Sequence, residues 1–279
     1  MPTRNRVNCA VLLRQPALPP PVTDSTPTDA PPAFPLGWAL APALVLAALA
    51  ASVALTGTNQ ALFVSLNDAA RRIPAGVWSM LTVTGSVLGA IALLAPTLKT
   101  RPRLLASAFV AAPLAIVFSE GGKRYFDIMR PAGVLEADSF NLIGQKLYVH
   151  AFPSGHSTTA FVAAAAIVLA WPQAGRRHRA GLLVLGVAGL VAFSRIAVGA
   201  HWPLDVLTGA TGGWLCGAWG VWLSARLRFW EGPGGVRAMA TVALATSLAL
   251  LFVDAGQPDV RLFRIGLAAW GIGGAAAAL

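Results

Sequence analysis

Leu36–Thr56 reads LGWALAPALVLAALAASVALT, an apolar run without one charged side chain. A helix needs about 20 such residues to cross a hydrocarbon core roughly 30 Å thick. Further apolar runs fall at about 76–96, 104–120, 155–171, 181–199 and 206–225, and two shorter ones follow at about 238–253 and 265–279. Composition agrees: 56% of the 279 residues are hydrophobic and 11% charged, against about 25% charged in a soluble domain. Mean hydropathy is +0.65. The short alternating segments of a transmembrane β-barrel are not seen. The expected fold is all-α, a polytopic transmembrane helical bundle with a six-helix core and one or two C-terminal apolar segments. Three regions follow: a disordered tail over 1–35, a membrane core over 36–225 and a C-terminal membrane extension over 226–279.

The tail holds nine of the twenty prolines, with Ser, Thr and Asp among them, a composition that cannot bury a core. Its one apolar stretch, Cys9 to Leu13, is too short for a signal peptide. Cys9 and Cys216 fall in unlike settings, so neither a disulfide nor a metal site is expected of them. The net charge of +10 invites a nucleic-acid reading. That reading fails because the basic residues cluster in the connections between apolar runs, as the positive-inside rule requires. Arg4, Arg6 and Arg14, Lys99, Arg101 and Arg103, Arg176, Arg177 and Arg179, and Arg226, Arg228 and Arg237 all share one side if the N-terminus is cytoplasmic. The opposite, extracytoplasmic side receives three short motifs. Gln60 to Asn67 reads as an interfacial helix on that side, and Trp202 and Trp230 read as belt residues at the membrane boundaries.

The motifs are Lys123 to Pro131 (KRYFDIMRP), Pro153 to His156 (PSGH) and Ser194 to Asp205 (SRIAVGAHWPLD). In the first, Lys123 and Arg130 are seven apart, two turns on one face if the segment is helical, with Pro131 stopping or kinking it. In the second, Ser154 is a candidate N-cap, Gly155 allows close approach, and His156 falls in the first turn of a helix whose N-terminus suits an anion. In the third, Arg195 closes a span, and Asp205 follows His201 by four, so its carboxylate can reach back to the ring. A carboxylate on one imidazole nitrogen fixes the tautomer and leaves the other free to attack. Lys123, Arg130 and Arg195 would neutralise phosphoryl oxygens, with Arg forks matching them bidentately. His201 would be the nucleophile, and His156 would protonate the leaving oxygen and then activate water. This scheme needs no metal and no cofactor. The motifs alone do not say whether Glu120, Asp127 or His150 tunes the site.

K-x6-R-P, P-S-G-H and S-R-x5-H-x3-D resemble the three signature motifs of the type 2 phosphatidic acid phosphatase family, and the chain is similar to its bacterial membrane-bound members. The resemblance covers about residues 36–225, and none of the motif positions departs from the pattern. It implies a six-helix core and metal-independent hydrolysis of a lipid phosphate in the bacterial cytoplasmic membrane. It also implies catalytic roles for His201, His156 and Asp205, and phosphate binding by Lys123, Arg130, Ser154, Gly155 and Arg195. Soluble acid phosphatases and vanadium-dependent haloperoxidases share these motifs, but the apolar runs argue against a soluble member. Undecaprenyl diphosphate is the leading substrate by analogy. Phosphatidate, phosphatidylglycerophosphate, the lipid A 1-phosphate and a lipid-to-lipid phosphotransferase stay open. An anion transporter would have no use for two histidines at helix starts with a carboxylate behind one. The expected partners are the lipid substrate and the bilayer, not nucleic acid, and the sequence leaves the oligomeric state open.

Overall fold

The computed structural model describes residues 34–170, 174–253, 256–257 and 260–279. Residues 1–33, with most of the expected disordered tail, Cys9 and three of the orienting arginines, lie outside them. The described helices are α1 (Leu36–Thr56), α2 (Asn59–Ala70), α3 (Ala75–Thr84), α4 (Val87–Leu94), α5 (Pro102–Phe126), α6 (Pro131–Val134), α7 (Gly155–Ala170), α8 (Ala174–Ala197), α9 (Pro203–Leu227), α10 (Pro233–Phe252) and α11 (Arg261–Ala276). A 3₁₀ turn, Ala95–Lys99, continues α4. Each apolar run of the sequence becomes one helix except the second. Among the described residues, four segments are long and apolar enough to cross a membrane: α1, Pro102–Val134, Arg179–Ala197 and α10.

The second run, expected as one span over 76–96, is instead broken between α3 and α4, with a bend of 75°. The cause is local. Ser86 is extended, accepts the Gly89 N–H (3.0 Å) and donates to the Val83 carbonyl (2.7 Å), so it starts a new helix where the old one would have continued. A Cβ on Gly85 would lie 2.6 Å from Val191 Cγ1, so α8 passes where only glycine leaves room.

α9 is the axis of the bundle, packed by α1, α5 and α7. Gly209, Gly213 and Gly217 recur every fourth residue on its α7 face. Added Cβ atoms there would lie 2.4 Å from the Ser154 carbonyl oxygen, 2.3 Å from that of Thr158 and 2.9 Å from that of Val162. In lipid, helices gain little from burying apolar surface against one another, so backbone approach through small residues holds the pair. This contact also sets where the two helices begin relative to each other, with Ser154 and Asp205 side by side at their starts.

α10 and α11 form a hairpin against α4 and the 3₁₀ turn. Gly271 and Gly274 allow this, since Cβ atoms there would meet Ala92 Cα at 2.8 Å and Pro96 N at 2.4 Å. The connection between them reaches the active end: the Gln145 N–H donates to the Gly256 carbonyl (2.8 Å), and Ser79 Oγ donates to Gln257 Oε1 (3.2 Å). Cys216 is buried as a free thiol.

The glycine contact predicts that Gly213→Ala costs about 1–3 kcal/mol through overpacking. Gly186→Ala, where no atom lies within 4 Å of the added Cβ, should cost nothing. Thermal unfolding of the two purified variants in detergent checks this, and equal midpoints would contradict the packing.

Candidate active site

The first motif does not form the continuous helix its spacing allows. α5 ends at Phe126, and Asp127 closes it in the left-handed region (φ 44°), its N–H on the Lys123 carbonyl (3.1 Å). Lys123 therefore sits in the last turn of α5, and Arg130 lies beyond it as the extended residue before α6. Pro131 begins that short helix rather than ending one. Residues 128–130 run beside 148–151: the Arg130 N–H donates to the Tyr148 carbonyl, and the Ala151 N–H to that of Ile128, both at 2.8 Å.

This pairing aims the Arg130 side chain inward, where it is 8% exposed. Nε donates to the Val149 carbonyl (2.8 Å), Nη2 to that of His150 (3.1 Å) and Nη1 to that of Ala200 (2.9 Å). Nη1 also lies 3.1 Å from His201 Nε2. A guanidinium only donates, so Nε2 is the acceptor and the ring proton sits on Nδ1. Nδ1 faces Asp205 Oδ2 at 3.3 Å, and that oxygen also accepts the Trp202 N–H at 2.8 Å. The pair is sealed from water, His201 at 2% and Asp205 at 1% exposed. Burial first, then Arg130, Arg195, His156 and Lys123, hold the His201 imidazole well below the usual histidine value of 6.5.

The second motif meets the third through the backbone. The Ser154 N–H donates to the Asp205 carbonyl (3.0 Å), and Ser154 Oγ caps α7 by accepting from the Ser157 N–H (3.4 Å) and Oγ (3.0 Å). A Cβ on Gly155 would lie 3.4 Å from Lys123 Nζ, so the ammonium sits over the N-terminus of α7. Arg195, in the last turn of α8, is 4% exposed, and its Nε has no hydrogen-bond partner among the described residues. A buried donor left unmade costs about 1–3 kcal/mol; an oxyanion at this end of the bundle would satisfy it.

Beside these groups lies a cavity between α4, α5 and α7 with a volume of about 330 Å³. Along α5 its wall runs from Leu105 through Phe109, Ala112 and Ile116 to Ser119, Glu120 and Lys123. The polar end is completed by Gly155 and His156, and the rest is mostly apolar. Glu120 pairs with Lys123 there. Asp127 and His150 form a more exposed pair at 3.1 Å, outside the cluster.

The structure thus gathers Lys123, Arg130, Ser154, Gly155, His156, Arg195, His201 and Asp205 at one end of the bundle. The family model described as the PAP2 superfamily matches residues 76–229, more than half of the chain. The chain belongs to the PAP2 superfamily. Within it, the chain is similar to an undecaprenyl-diphosphatase of Sulfolobus acidocaldarius, at 33% identity over 116 residues, 41% of this chain and 50% of that protein. It is also similar to a lipid A 1-phosphatase of Rhizobium etli, at 42% identity over 64 residues, 23% of this chain and 25% of that protein. The chain therefore spans half the length of one relative and a quarter of the other. The crystal structure of Aquifex aeolicus LpxE superposes with a TM-score of 0.51 at 29% identity, covering 58% of this chain and 93% of that one. The PAP2 match stops before α10, so the hairpin that braces α4 lies beyond it.

Two features of this PAP2 site were not read from sequence. Trp202, expected as a boundary anchor, is buried, and its Nε1–H donates to the Met129 carbonyl (2.8 Å), tying the first motif to the third. Asn67 is buried beneath the third motif, with no neighbouring signal in the sequence to mark it. Arg130→Met would leave the carbonyls of Val149, His150 and Ala200 without this donor, at about 1–3 kcal/mol for each that stays dry. A lowered thermal midpoint in detergent is expected, and an unchanged one would contradict the anchoring.

Proposed function

We propose that this chain is a membrane lipid phosphatase that removes the terminal phosphate of its substrate at the extracytoplasmic face, through a phosphohistidine on His201. The observation that carries the reading is the cavity, with Lys123 and His156 at its polar end and apolar side chains along α5 and α7 beyond them. That shape fits a phosphate on an apolar anchor. The distribution of Lys and Arg supports a cytoplasmic N-terminus with the motifs on the far side.

The chemistry follows from the tautomer. The lone pair on His201 Nε2 attacks phosphorus as the phosphorus–oxygen bond to the lipid breaks, and His156 gives its proton to the leaving oxygen. An incoming phosphoryl group exchanges the Arg130–His201 contact for contacts from Arg130 to its own oxygens, which frees the nucleophile. Lys123, Arg130, Arg195 and the N-terminus of α7 hold the equatorial charge. Asp205 stabilises the cationic ring. Water then attacks phosphorus, His156 takes its proton, the phosphorus–nitrogen bond breaks, and inorganic phosphate leaves. The three cations do the neutralising that a metal would otherwise supply. Acid–base assistance of this kind contributes about 10²–10⁴ in rate.

Undecaprenyl diphosphate is the first substrate to test, supported by the Sulfolobus relative. A lipid A 1-phosphate is the second reading, supported by the Rhizobium relative. Purified protein in mixed micelles with EDTA should release phosphate from one of these, or from phosphatidate or phosphatidylglycerophosphate. His201→Ala should abolish release. Phosphate appearing on a lipid acceptor instead would make it a phosphotransferase, and release restored only by added magnesium would contradict the scheme.

The pH dependence has a definite sign. A depressed His201 pKa keeps Nε2 unprotonated, and so nucleophilic, as pH falls through 6.5. The rate of phosphohistidine formation, measured by rapid quench, should hold as pH falls through 6.5. An acid limb centred at or above 6.5 would contradict the buried geometry.

A further inference from the structure

α2 carries Asn59, Phe63 and Asn67 at four-residue spacing, on one face. That face lies under the connection between α8 and α9, which holds His201. The last carbonyls of a helix have no partner within it, and Asn67 supplies two of those of α8. Its Nδ2 donates to the carbonyls of Ile196 (2.9 Å), Ala197 (3.2 Å) and, from the neighbouring loop, Asn141 (2.9 Å). Its Oδ1 accepts the Asn141 N–H at 2.6 Å. The opposite amide orientation would set oxygen against three carbonyls, so the network fixes it. Eight residues earlier, Asn59 Oδ1 accepts the Leu204 N–H (2.9 Å), one of the orphan donors that open α9. Between the two amides, Phe63 is fully buried, edge-on to Trp202 at 5.1 Å and to Phe140 at 5.6 Å.

One helix thus caps the end of α8 and the start of α9, the two helices flanking the nucleophile. The rest of the connection hangs from those points. The N–H groups of Ala200 and His201 both donate to the Arg195 carbonyl, at 3.0 and 3.1 Å. Gly199 turns with φ 76°, and a Cβ there would meet the Asn141 carbonyl oxygen at 2.7 Å. We propose that Asn59 and Asn67 are positioning residues: the Asn59/Phe63/Asn67 face of α2 is the template that sets the place of His201 relative to Arg195 and Asp205. The kinetic consequence rests on the phosphatase reading; the structural one does not.

The two amides use different chemistry, and the test exploits it. Asn59 only accepts, so Asn59→Asp keeps its bond and adds a charge that suits two helix N-termini. Asn67 donates to three carbonyls, so Asn67→Asp faces them with a carboxylate. Expected results are a loss of kcat of about 10–100-fold, the scale of a small misplacement, in Asn67→Ala, Asn67→Asp and Asn59→Ala, with KM little changed. Asn59→Asp should restore kcat to near that of the parent. In parallel, hydrogen exchange by mass spectrometry should show faster exchange over 196–204 in Asn59→Ala and Asn67→Ala, with helices α5 and α7 as protected as in the parent. Parent-like kcat in folded Asn59→Ala and Asn67→Ala, or failure of Asn59→Asp to rescue, overturns the proposal. Exchange that is unchanged, or raised over the whole chain, also overturns it. A parent that releases no phosphate speaks against the phosphatase reading, and hydrogen exchange then decides this one alone.

Discussion

Holding several cations together away from water is the constraint on which the rest of the structure depends. Lys123, Arg130 and Arg195 converge with two histidines at one end of the bundle, and like charges at short range in a medium of low dielectric repel strongly. The compensation is mostly dipolar. Arg130 spends its donors on three carbonyls, and those carbonyls come from two separate segments: residues 149 and 150 from the connection between α6 and α7, residue 200 from the third motif. Asp205 is the only acid among the described residues that is buried, and Glu120 balances Lys123 from the wetter side. Backbone carbonyls make a better scaffold here than more carboxylates. They hold the guanidinium in place without cancelling the charge that an incoming phosphate must feel.

The same constraint explains which parts of the site could be read from sequence. The three motifs were legible because each packs a charged or titratable group beside a helix start or stop, and those signals are local. His201 and Asp205 met as their four-residue spacing required. The relation of Lys123 to Arg130 was misread, because seven residues is a helical spacing only if nothing between them leaves the helix, and Asp127 does. The broken second span was hidden for a similar reason. Thr84-Gly85-Ser86 is uncharged and small enough to sit within an apolar run, and only the passage of Val191 makes the glycine decisive. Asn67 was invisible altogether. Its partners are 74 to 130 residues away, and an asparagine in a polar helix announces nothing.

Glycine does two different jobs in this fold. In α9 it brings backbones together, and the Gly209, Gly213 and Gly217 face fixes where α7 begins relative to α9. At Gly199 it supplies a turn that a side chain would block. The C-terminal hairpin uses the first device again, with Gly271 and Gly274 against α4 and its 3₁₀ turn. The wall of the cavity formed by α4 is therefore set from both sides, by α8 at the bend and by α11 behind it.

The burial of α7 carries a consequence for how the bilayer acts on the site. Most of its residues are buried, and α5, α8 and α9 pack around it. A helix enclosed in this way meets its surroundings chiefly through the helices that surround it. Ser154 and His156 stand at its start. Their position is therefore set by protein contacts, and a change in the surrounding lipid would reach them only by first moving the outer helices.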